Sequence, residues 1–259
     1  AHTLTRALED VTLRVVGAED LHPYPGLASF TEADAEYFFG REAEVEAMWR
    51  KLEGPARLLG LAGPSGSGKS SFLRAGVIPA AGAGWSVVRC TPGDAAVSSL
   101  RRALIPELAG DTEALQQLVD SGDDDAITAV VARWRRRHEH GLLIVDQFEE
   151  LFTQNDHEEQ ARFGRILGKL ALEADTHVLL SLRDDFLAPC NGHEALRPIF
   201  HELTLLDPPA GANLRRALTQ PAVQCGYRFE DDELVEEMLG EVDLTIRELG
   251  TLARNRASV

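Results

Sequence analysis

The hydrophobic residues between positions 57 and 207 fall into short apolar runs separated by longer segments of helical period. The runs predict strands at 58–62, 85–90, 142–145, 178–182 and 203–206. The run at 142–145 has no alternating polar positions, which is typical of a strand buried on both faces of a parallel sheet. Helical patterns are found at about 42–52, from 69 onward, and at 95–108, 125–137 and 157–174. This alternation predicts right-handed β-α-β crossovers and an α/β fold with a doubly wound parallel sheet.

The chain outside this alternation predicts two further segments. Residues 1–22 are weakly patterned, with one short strand at 11–16, and we interpret them as an N-terminal extension or the tail of an upstream domain. Prolines and a glycine at 23–26 interrupt regular structure, and the α/β domain is predicted to occupy 23–207. Beyond it, helical patterns at about 213–224 and 231–241 predict a partial helical domain over 208–259.

A glycine-rich loop follows the first predicted strand and fits the pattern G-x-x-x-x-G-K-[ST]. Its glycines allow successive backbone N–H groups to point at phosphate oxygens, and the next helix adds its positive N-terminal end. Lys69 is expected to reach the β- and γ-phosphates, and the Ser70 hydroxyl to bind Mg²⁺. A flexible glycine-serine turn is the alternative, but it accounts for neither the strand before the loop nor the helix after it. The predicted cofactor-binding residues of this P-loop NTPase domain are Gly63, Pro64, Ser65, Gly66, Ser67, Gly68, Lys69, Ser70 and Ser71.

Three acidic residues follow the predicted strand at 142–145. Asp146 comes directly after the strand, at the position where an aspartate of a P-loop enzyme holds Mg²⁺, usually through water. Glu149 or Glu150 is expected to orient the attacking water, because phosphoryl transfer depends mainly on positioning. Either glutamate alone has an equally good alternative, which is to cap or solvate the following helix. We therefore predict Asp146 as a metal ligand and at least one of the two glutamates as catalytic.

Arg183 follows the fourth predicted strand and should project at the same edge of the sheet. A cation there can contact the γ-phosphate and stabilise charge in the transition state, so Arg183 is a third catalytic candidate. The alternative is a surface arginine paired with Asp184 or Asp185.

Composition narrows the possible partners and the compartment. The net charge of −16 and the pI of about 4.9 weigh against nucleic-acid binding, which needs a basic surface. We interpret the one basic run, 133–138, as the solvated end of a helix. No apolar run approaches the roughly 20 residues of a membrane span, and the N-terminus lacks signal-peptide character. Three scattered cysteines favour reduced thiols, so the protein is predicted to be cytoplasmic. The missing initiator Met predicts a processed chain or a fragment.

Taken together, the motifs resemble the novel STAND NTPases of bacteria, signal-transduction ATPases related to the NACHT and AP-ATPase proteins. The resemblance covers about 23–241 and is specific in motif order and spacing. Its elements are Tyr24-Pro25-Gly26-Leu27, Phe38-Phe39-Gly40-Arg41-Glu42, the phosphate loop, Val145-Asp146-Gln147-Phe148-Glu149-Glu150 and Ser181-Leu182-Arg183-Asp184-Asp185-Phe186.

This resemblance implies a P-loop core of the ASCE or AAA-like type, with ATP or ADP and Mg²⁺ as cofactors. It implies that Phe39, Gly40 and Arg41 help to hold the adenine end of the nucleotide, and that Arg183 is a sensor arginine. A Gly-x-Pro-like segment expected after Val242 is missing from the sequence. The resemblance also implies sensor and effector domains, which this sequence lacks. Protein partners or self-assembly are expected to act through those domains.

The leading hypothesis is therefore a slow, ATP-hydrolysing regulatory switch. ATP and ADP would favour different placements of the helical segment, and hydrolysis would reset the switch. A nucleotide-dependent assembly module with negligible turnover is the main alternative, favoured by the missing Gly-x-Pro segment. A DNA-associated ATPase is disfavoured by the acidic charge, and a small-molecule kinase by the lack of an acceptor-binding lid motif.

Overall fold

The computed structural model describes residues 23–26, 28–120 and 123–242. The extension at 1–22 with its predicted strand at 11–16, Leu27 and the tail from 243 therefore lie outside the described residues. The chain is divided into two compact units. Residues 47–65 and 80–206 form one of them, which we call the sheet unit. The described parts of 1–46, 66–79 and 207–259 form the other, which we call the loop–helix unit. The domain boundaries at 22 and 207 stay a prediction.

The sheet unit contains a parallel sheet of five strands in the order β2-β3-β4-β1-β5. All five strands were predicted, and their ends agree with the prediction within two residues. β1 lies between β4 and β5, and the chain leaves it for the far edge of the sheet. This reversal of strand order confirms the doubly wound α/β fold. The strands are β1 (Leu58–Gly63), β2 (Trp85–Cys90), β3 (His140–Val145), β4 (His177–Arg183) and β5 (Leu203–Leu205).

Helices occupy most of the remaining described residues. They are α1 (Glu42–Leu52), α2 (Lys69–Ser71, continuing as a π-helical segment over Phe72–Val77), α3 (Ala96–Leu104), α4 (Thr112–Asp120), α5 (Asp124–Arg135), α6 (Glu150–Gln154), α7 (His157–Leu172), α8 (Leu187–Gly192), α9 (Gly211–Gln224) and α10 (232–242). Short 3₁₀ segments lie at Glu32–Tyr37, Pro106–Leu108, Asp184–Phe186 and Glu194–His201. No helix was predicted at α4, α6 or α8, or at the 3₁₀ segments Asp184–Phe186 and Glu194–His201. With five and six residues, α6 and α8 are too short to show a helical period.

One apolar core holds the sheet unit together. Alternate residues of the central strands contact the apolar sides of α3, α5 and α7. Trp134, Phe148 and Phe163 are the largest side chains that this core buries completely. Polar side chains mark the starts of two of these helices: the Asp123 carboxylate accepts from the amide of Asp125, and that of Asp156 from the amide of Glu159. The core fixes the strands, and with them the loops at their carboxyl ends, where ligands of such sheets bind.

Candidate functional site

The phosphate loop leaves the sheet unit after β1 and enters the loop–helix unit at Gly66. Gly66 and Gly68 have φ angles of +80° and +85°, in the left-handed region that favours glycine. A Cβ atom at either position would meet nothing within 4 Å. The backbone beside both glycines is therefore open to a ligand. Gly68 also starts α2, where its carbonyl accepts from the amide of Phe72 at 2.8 Å.

Ser67 has a buried hydroxyl without a hydrogen-bond partner among the described residues. The residue is only 1% exposed. A buried polar group left unpaired costs about 1–3 kcal/mol, and a ligand oxygen would relieve that cost. The open glycines and this orphaned hydroxyl together fit the phosphate groups of a nucleotide. Lys69 and Ser70, the first residues of α2, are half-buried. The hydroxyl of Ser71, the next residue of α2, accepts a hydrogen bond of 3.1 Å from the amide of Phe30.

Arg41 lies against the phosphate loop. Its Nη2 donates to the Ser67 carbonyl at 2.8 Å, and its Nη1 is 3.5 Å from the Glu44 carboxylate. Burial lowers the pKa of the Arg41 guanidinium, and the neighbouring Glu44 opposes this change. The residue is only 6% exposed. Phe39, which was predicted with Arg41 to hold the adenine end, is half-buried. The adenine contact stays a prediction, but the hydrogen bond of Arg41 is made to the phosphate loop.

Gly40 allows this segment to approach α9 closely. Its φ angle is +86°, and a Cβ atom added here would lie 2.3 Å from the carbonyl oxygen of Asn213. No side chain fits such a gap without backbone movement. The neighbouring Glu42 carboxylate accepts two hydrogen bonds from Arg216 on α9, at 2.7 and 3.0 Å.

In the sheet unit, Asp146 lies at the carboxyl end of β3 and is 3% exposed. Its Oδ1 accepts from the amide of Gln147 at 3.0 Å, and its Oδ2 is 4.0 Å from Nη1 of Arg89. Gln147 has a φ angle of +53°, which is uncommon for a residue other than glycine. Such a backbone conformation often occurs where a loop positions functional groups. A buried carboxylate at a strand end fits a divalent cation.

The two glutamates after Asp146 point to different neighbours. Glu149 Oε2 accepts from the amide of Arg183, at the end of β4, at 3.3 Å. Glu150 Oε2 accepts from the amide of Gly93, in the loop after β2, at 3.0 Å. In the sheet, β4 pairs directly with β1, and Arg183 lies opposite Gly63. Glu149 is therefore on the side of the strand that begins the phosphate loop, and Glu150 is on the opposite side.

The side chain of Arg183 is paired with its own neighbours. Its Nε and Nη2 donate to the two carboxylate oxygens of Asp185 at 3.0 and 2.6 Å. Its guanidinium carbon also lies 5.5 Å from the centre of the Phe186 ring. This pairing is the alternative that the sequence left open. The sensor role of Arg183 stays a prediction that requires the pair with Asp185 to break.

Two residues near Asp146 escaped the sequence analysis. Arg89 precedes the last residue of β2, a strand predicted correctly, but nothing in its immediate sequence marks it as a neighbour of Asp146. Its proximity follows from strand order, because β2 pairs with β3. The left-handed Gln147 carries no glycine or asparagine signal that could have revealed it.

Arginines of the basic run at 133–138 are neutralised by carboxylates. Arg133 pairs with Asp111 at 2.6 Å and with Glu113 at 2.9 Å. Arg135 pairs with Asp175 at 2.9 Å, and Arg137 also pairs with Asp111. These pairs agree with the interpretation of the run as the end of a helix.

The described residues contain neither a candidate membrane span nor a metal-binding cluster. None of their helices combines the length and the apolar character that a membrane crossing needs. No group of three or more His, Cys, Asp or Glu side chains is arranged there to hold a metal ion.

Comparisons with known proteins identify the family and the fold. The family model described as Novel STAND NTPase 1 matches residues 23–254. The Walker-type ATPase paby2304 of Pyrococcus abyssi has a TM-score of 0.59 at 15% identity, over 82% of this chain and 65% of that protein. Cdc6p of Pyrobaculum aerophilum has a TM-score of 0.50 at 15% identity, over 75% of this chain and 52% of that protein. This chain thus spans less than two thirds of the length of either protein.

No curated protein matches the sequence. At 15% identity the two structures establish the fold alone, which is the P-loop NTPase core predicted from the sequence. The family match extends over most of the chain and confirms the predicted resemblance. The chain belongs to the Novel STAND NTPase 1 family.

Proposed function

We propose that this chain is the nucleotide-binding part of an ATP-dependent regulatory switch that hydrolyses ATP slowly. The observation that carries the proposal is the phosphate loop, where two left-handed glycines leave the backbone open beside the orphaned Ser67 hydroxyl. Anions bind where backbone N–H groups converge at the start of a helix. Membership of a STAND NTPase family agrees with this role.

In this proposal the loop amides and Lys69 bind the phosphates of ATP. The Ser70 hydroxyl and the buried Asp146 carboxylate are the proposed protein ligands of Mg²⁺. The metal ion would neutralise charge on the phosphate oxygens. The preference for ATP over GTP follows from the family resemblance.

Glu149 is the stronger candidate for the residue that orients the attacking water. Its carboxylate lies at the end of β4, the strand that pairs with β1. Glu150 instead accepts from Gly93, and Asn155 donates to the carbonyl of the same glycine at 2.7 Å. We therefore assign Glu149 the catalytic role, and Glu150 the role of fixing the loop after β2.

The first test is the nucleotide carried by the freshly purified protein. Acid extraction followed by ion-exchange chromatography should yield ADP or ATP at close to one molecule per chain. Lys69→Ala should yield none, whereas Lys169→Ala, at an exposed lysine paired with Asp125, should match wild type. A wild-type protein that carries no nucleotide and does not bind added MgATP would refute the proposal.

A binding module without turnover remains a second candidate because Arg183 is paired with Asp185. An arginine held in this way does not supply a cation to a transition state. Replacing both Glu149 and Glu150 with Gln separates the candidates. Loss of measurable hydrolysis with retained ATP binding supports the switch, whereas a near-zero rate that the substitutions do not change supports the module.

A further inference from the structure

The segment Gly40-Arg41-Glu42, which we call the brace turn, connects the phosphate loop to α9 within the loop–helix unit. The sequence resemblance associates it with the adenine base. Its contacts are instead made with the phosphate loop and with α9. Two residues before the turn, Phe38 packs on the π-helical segment that follows the loop. A Cβ atom at Gly76 would lie 3.0 Å from Cε1 of Phe38.

The side chain of Arg41 binds the backbone of the phosphate loop. The donor is a buried guanidinium nitrogen and the acceptor is the Ser67 carbonyl, 2.8 Å away. A hydrogen bond from a charged donor is roughly twice as strong as one between neutral groups. Ser67 lies between the two left-handed glycines, so the bond fixes the orientation of the peptide at the centre of the loop. The neighbouring amides, which would face the phosphates, are positioned by the same bond.

The brace turn is anchored on α9 at two points. The first is the close approach of Gly40 to the Asn213 carbonyl. The second is the pair of hydrogen bonds between Glu42 and Arg216, at 2.7 and 3.0 Å. Glu42 Oε1 also accepts from the amide of Gly40 at 3.3 Å. Through these contacts α9 holds the turn from which Arg41 reaches the loop.

We propose that Arg41 is a positioning residue for phosphate binding, and that the brace turn makes the phosphate affinity of the loop depend on α9. This inference rests on the proposed nucleotide-binding function. If Arg41 contacted the adenine base, its replacement would not weaken the binding of a ligand without a base. If Arg41 positions the loop, its replacement should weaken that ligand as well. Inorganic tripolyphosphate with Mg²⁺ is such a ligand, and its affinity can be measured beside that of MgATP.

The experiment compares wild type, Arg41→Met and Arg41→Lys with both ligands by isothermal titration calorimetry, using the full 259-residue chain. Arg41→Met should weaken the binding of MgATP and of tripolyphosphate by the same factor, about tenfold for one charge-assisted hydrogen bond. Arg41→Lys should recover part of the loss for both ligands. A loss confined to MgATP would overturn the inference in favour of a base contact, and no loss with either ligand would also overturn it.

Exposed residues provide a second test that does not depend on the folding of a core variant. Arg215 and Arg216 are neighbours on α9, and each is part of an exposed ion pair. Arg216 pairs with Glu42 of the turn, and Arg215 with Glu236 of α10. Arg216→Gln should weaken both ligands about two- to threefold, as expected for an exposed pair, and Arg215→Gln should leave both unchanged.

The exchanged pair Glu42→Arg with Arg216→Glu should return both affinities to within about twofold of wild type. Equal effects of the Arg215 and Arg216 substitutions would overturn the dependence on α9. If the wild-type protein binds neither ligand, the proposed function fails. If it binds both but the Arg41 and Arg216 substitutions have no matched effect, only this inference fails.

Discussion

The carboxylate of Glu149 accepts a hydrogen bond of 3.3 Å from the backbone amide of Arg183. This bond joins the turn after β3 to the end of β4, next to the strand that begins the phosphate loop. The next residue, Glu150, points to the opposite side and accepts from Gly93. The carboxylates of two adjacent residues therefore contact different parts of the sheet unit. Glu149 contacts the end of β4, and Glu150 contacts the loop after β2.

This separation predicts different effects of two otherwise identical substitutions. Glu149→Gln should lower the rate of ATP hydrolysis at least about 100-fold, because a group that orients or deprotonates water typically contributes 10²–10⁴-fold. Glu150→Gln should change the rate less than about fivefold, since a glutamine oxygen can still accept from Gly93. The measurement is phosphate release at saturating MgATP, with ATP affinity determined for each variant. A larger effect at Glu150 would reverse the assignment.

The pair between Arg183 and Asp185 predicts a second contrast. If Arg183 leaves Asp185 to stabilise transition-state charge, Arg183→Ala should lower turnover about 100-fold with little change in ATP affinity. Asp185→Asn weakens the competing pair, so turnover should stay the same or rise. Single-turnover hydrolysis by both variants provides the measurement. Unchanged turnover in Arg183→Ala would contradict the catalytic role of Arg183, and its ion pair with Asp185 would then be its only assigned interaction.

Gly40 predicts a large loss of stability when a single methyl group is added. Gly40→Ala should lower the free energy of unfolding by more than about 3 kcal/mol, because the new Cβ meets a backbone carbonyl in addition to the left-handed strain. Gly226→Ala is the matched control in the same unit. Gly226 has a similar φ of +78°, but a Cβ there would meet nothing within 4 Å. The control should lose only about 1–2 kcal/mol. Urea denaturation measures both, and equal losses would argue against the close contact with Asn213.

His177, at the start of β4, predicts a dependence of stability on pH. Burial and the nearby Arg57 guanidinium lower its pKa to about 4; the Arg57 Nη1 lies 2.9 Å from the ring Nε2. An unfolded histidine has a pKa of about 6.5. Between these values the unfolded state binds the extra proton, so stability falls as pH decreases from about 6.5 towards 4. The slope is at most about 1.4 kcal/mol per pH unit.

The test compares unfolding free energies at pH 5, 6 and 7 for wild type and two variants. His177→Gln should flatten the decrease between pH 6.5 and 5. His140→Gln removes a ring stacked on Trp85 and should retain most of the slope, because burial and Arg57, the two largest causes of the lowered pKa of His177, stay in place. A wild-type slope that survives the loss of His177 would assign the pH dependence to other groups.

The sequence predicted the sheet well because each strand is a compact apolar run followed by a polar turn or loop. The motif Gly63–Ser70 also identified the phosphate loop, since the left-handed backbone at Gly66 and Gly68 favours glycine there. The order of the strands could not be read from the sequence, although it decides which glutamate lies beside β4. Arg89 was overlooked for the same reason, because its proximity to Asp146 exists only after β2 and β3 pair.

Side-chain partners were the other part that the sequence could not supply. Arg183 was placed correctly at a strand end, but its choice between phosphate and Asp185 depends on small differences between competing ion pairs. Arg41 was recognised by resemblance, whereas its bond to the Ser67 carbonyl depends on the local shape of a loop with two left-handed residues. Short helices such as α6 have too few residues for a periodic pattern.

The position of β1 between β4 and β5 has a consequence for biosynthesis. Leu58 pairs with Val178, and Gly60 lies opposite Leu203, so both neighbours of β1 are translated long after it. At about 5–20 residues per second, the ribosome needs on the order of ten seconds to deliver them. During that interval β1, which is buried along its whole length in the folded protein, has no partner within its own sheet. The nascent chain is therefore most exposed to chaperone binding and misfolding between the synthesis of β1 and that of β4, and codon changes that slow this stretch should lower the yield of folded protein.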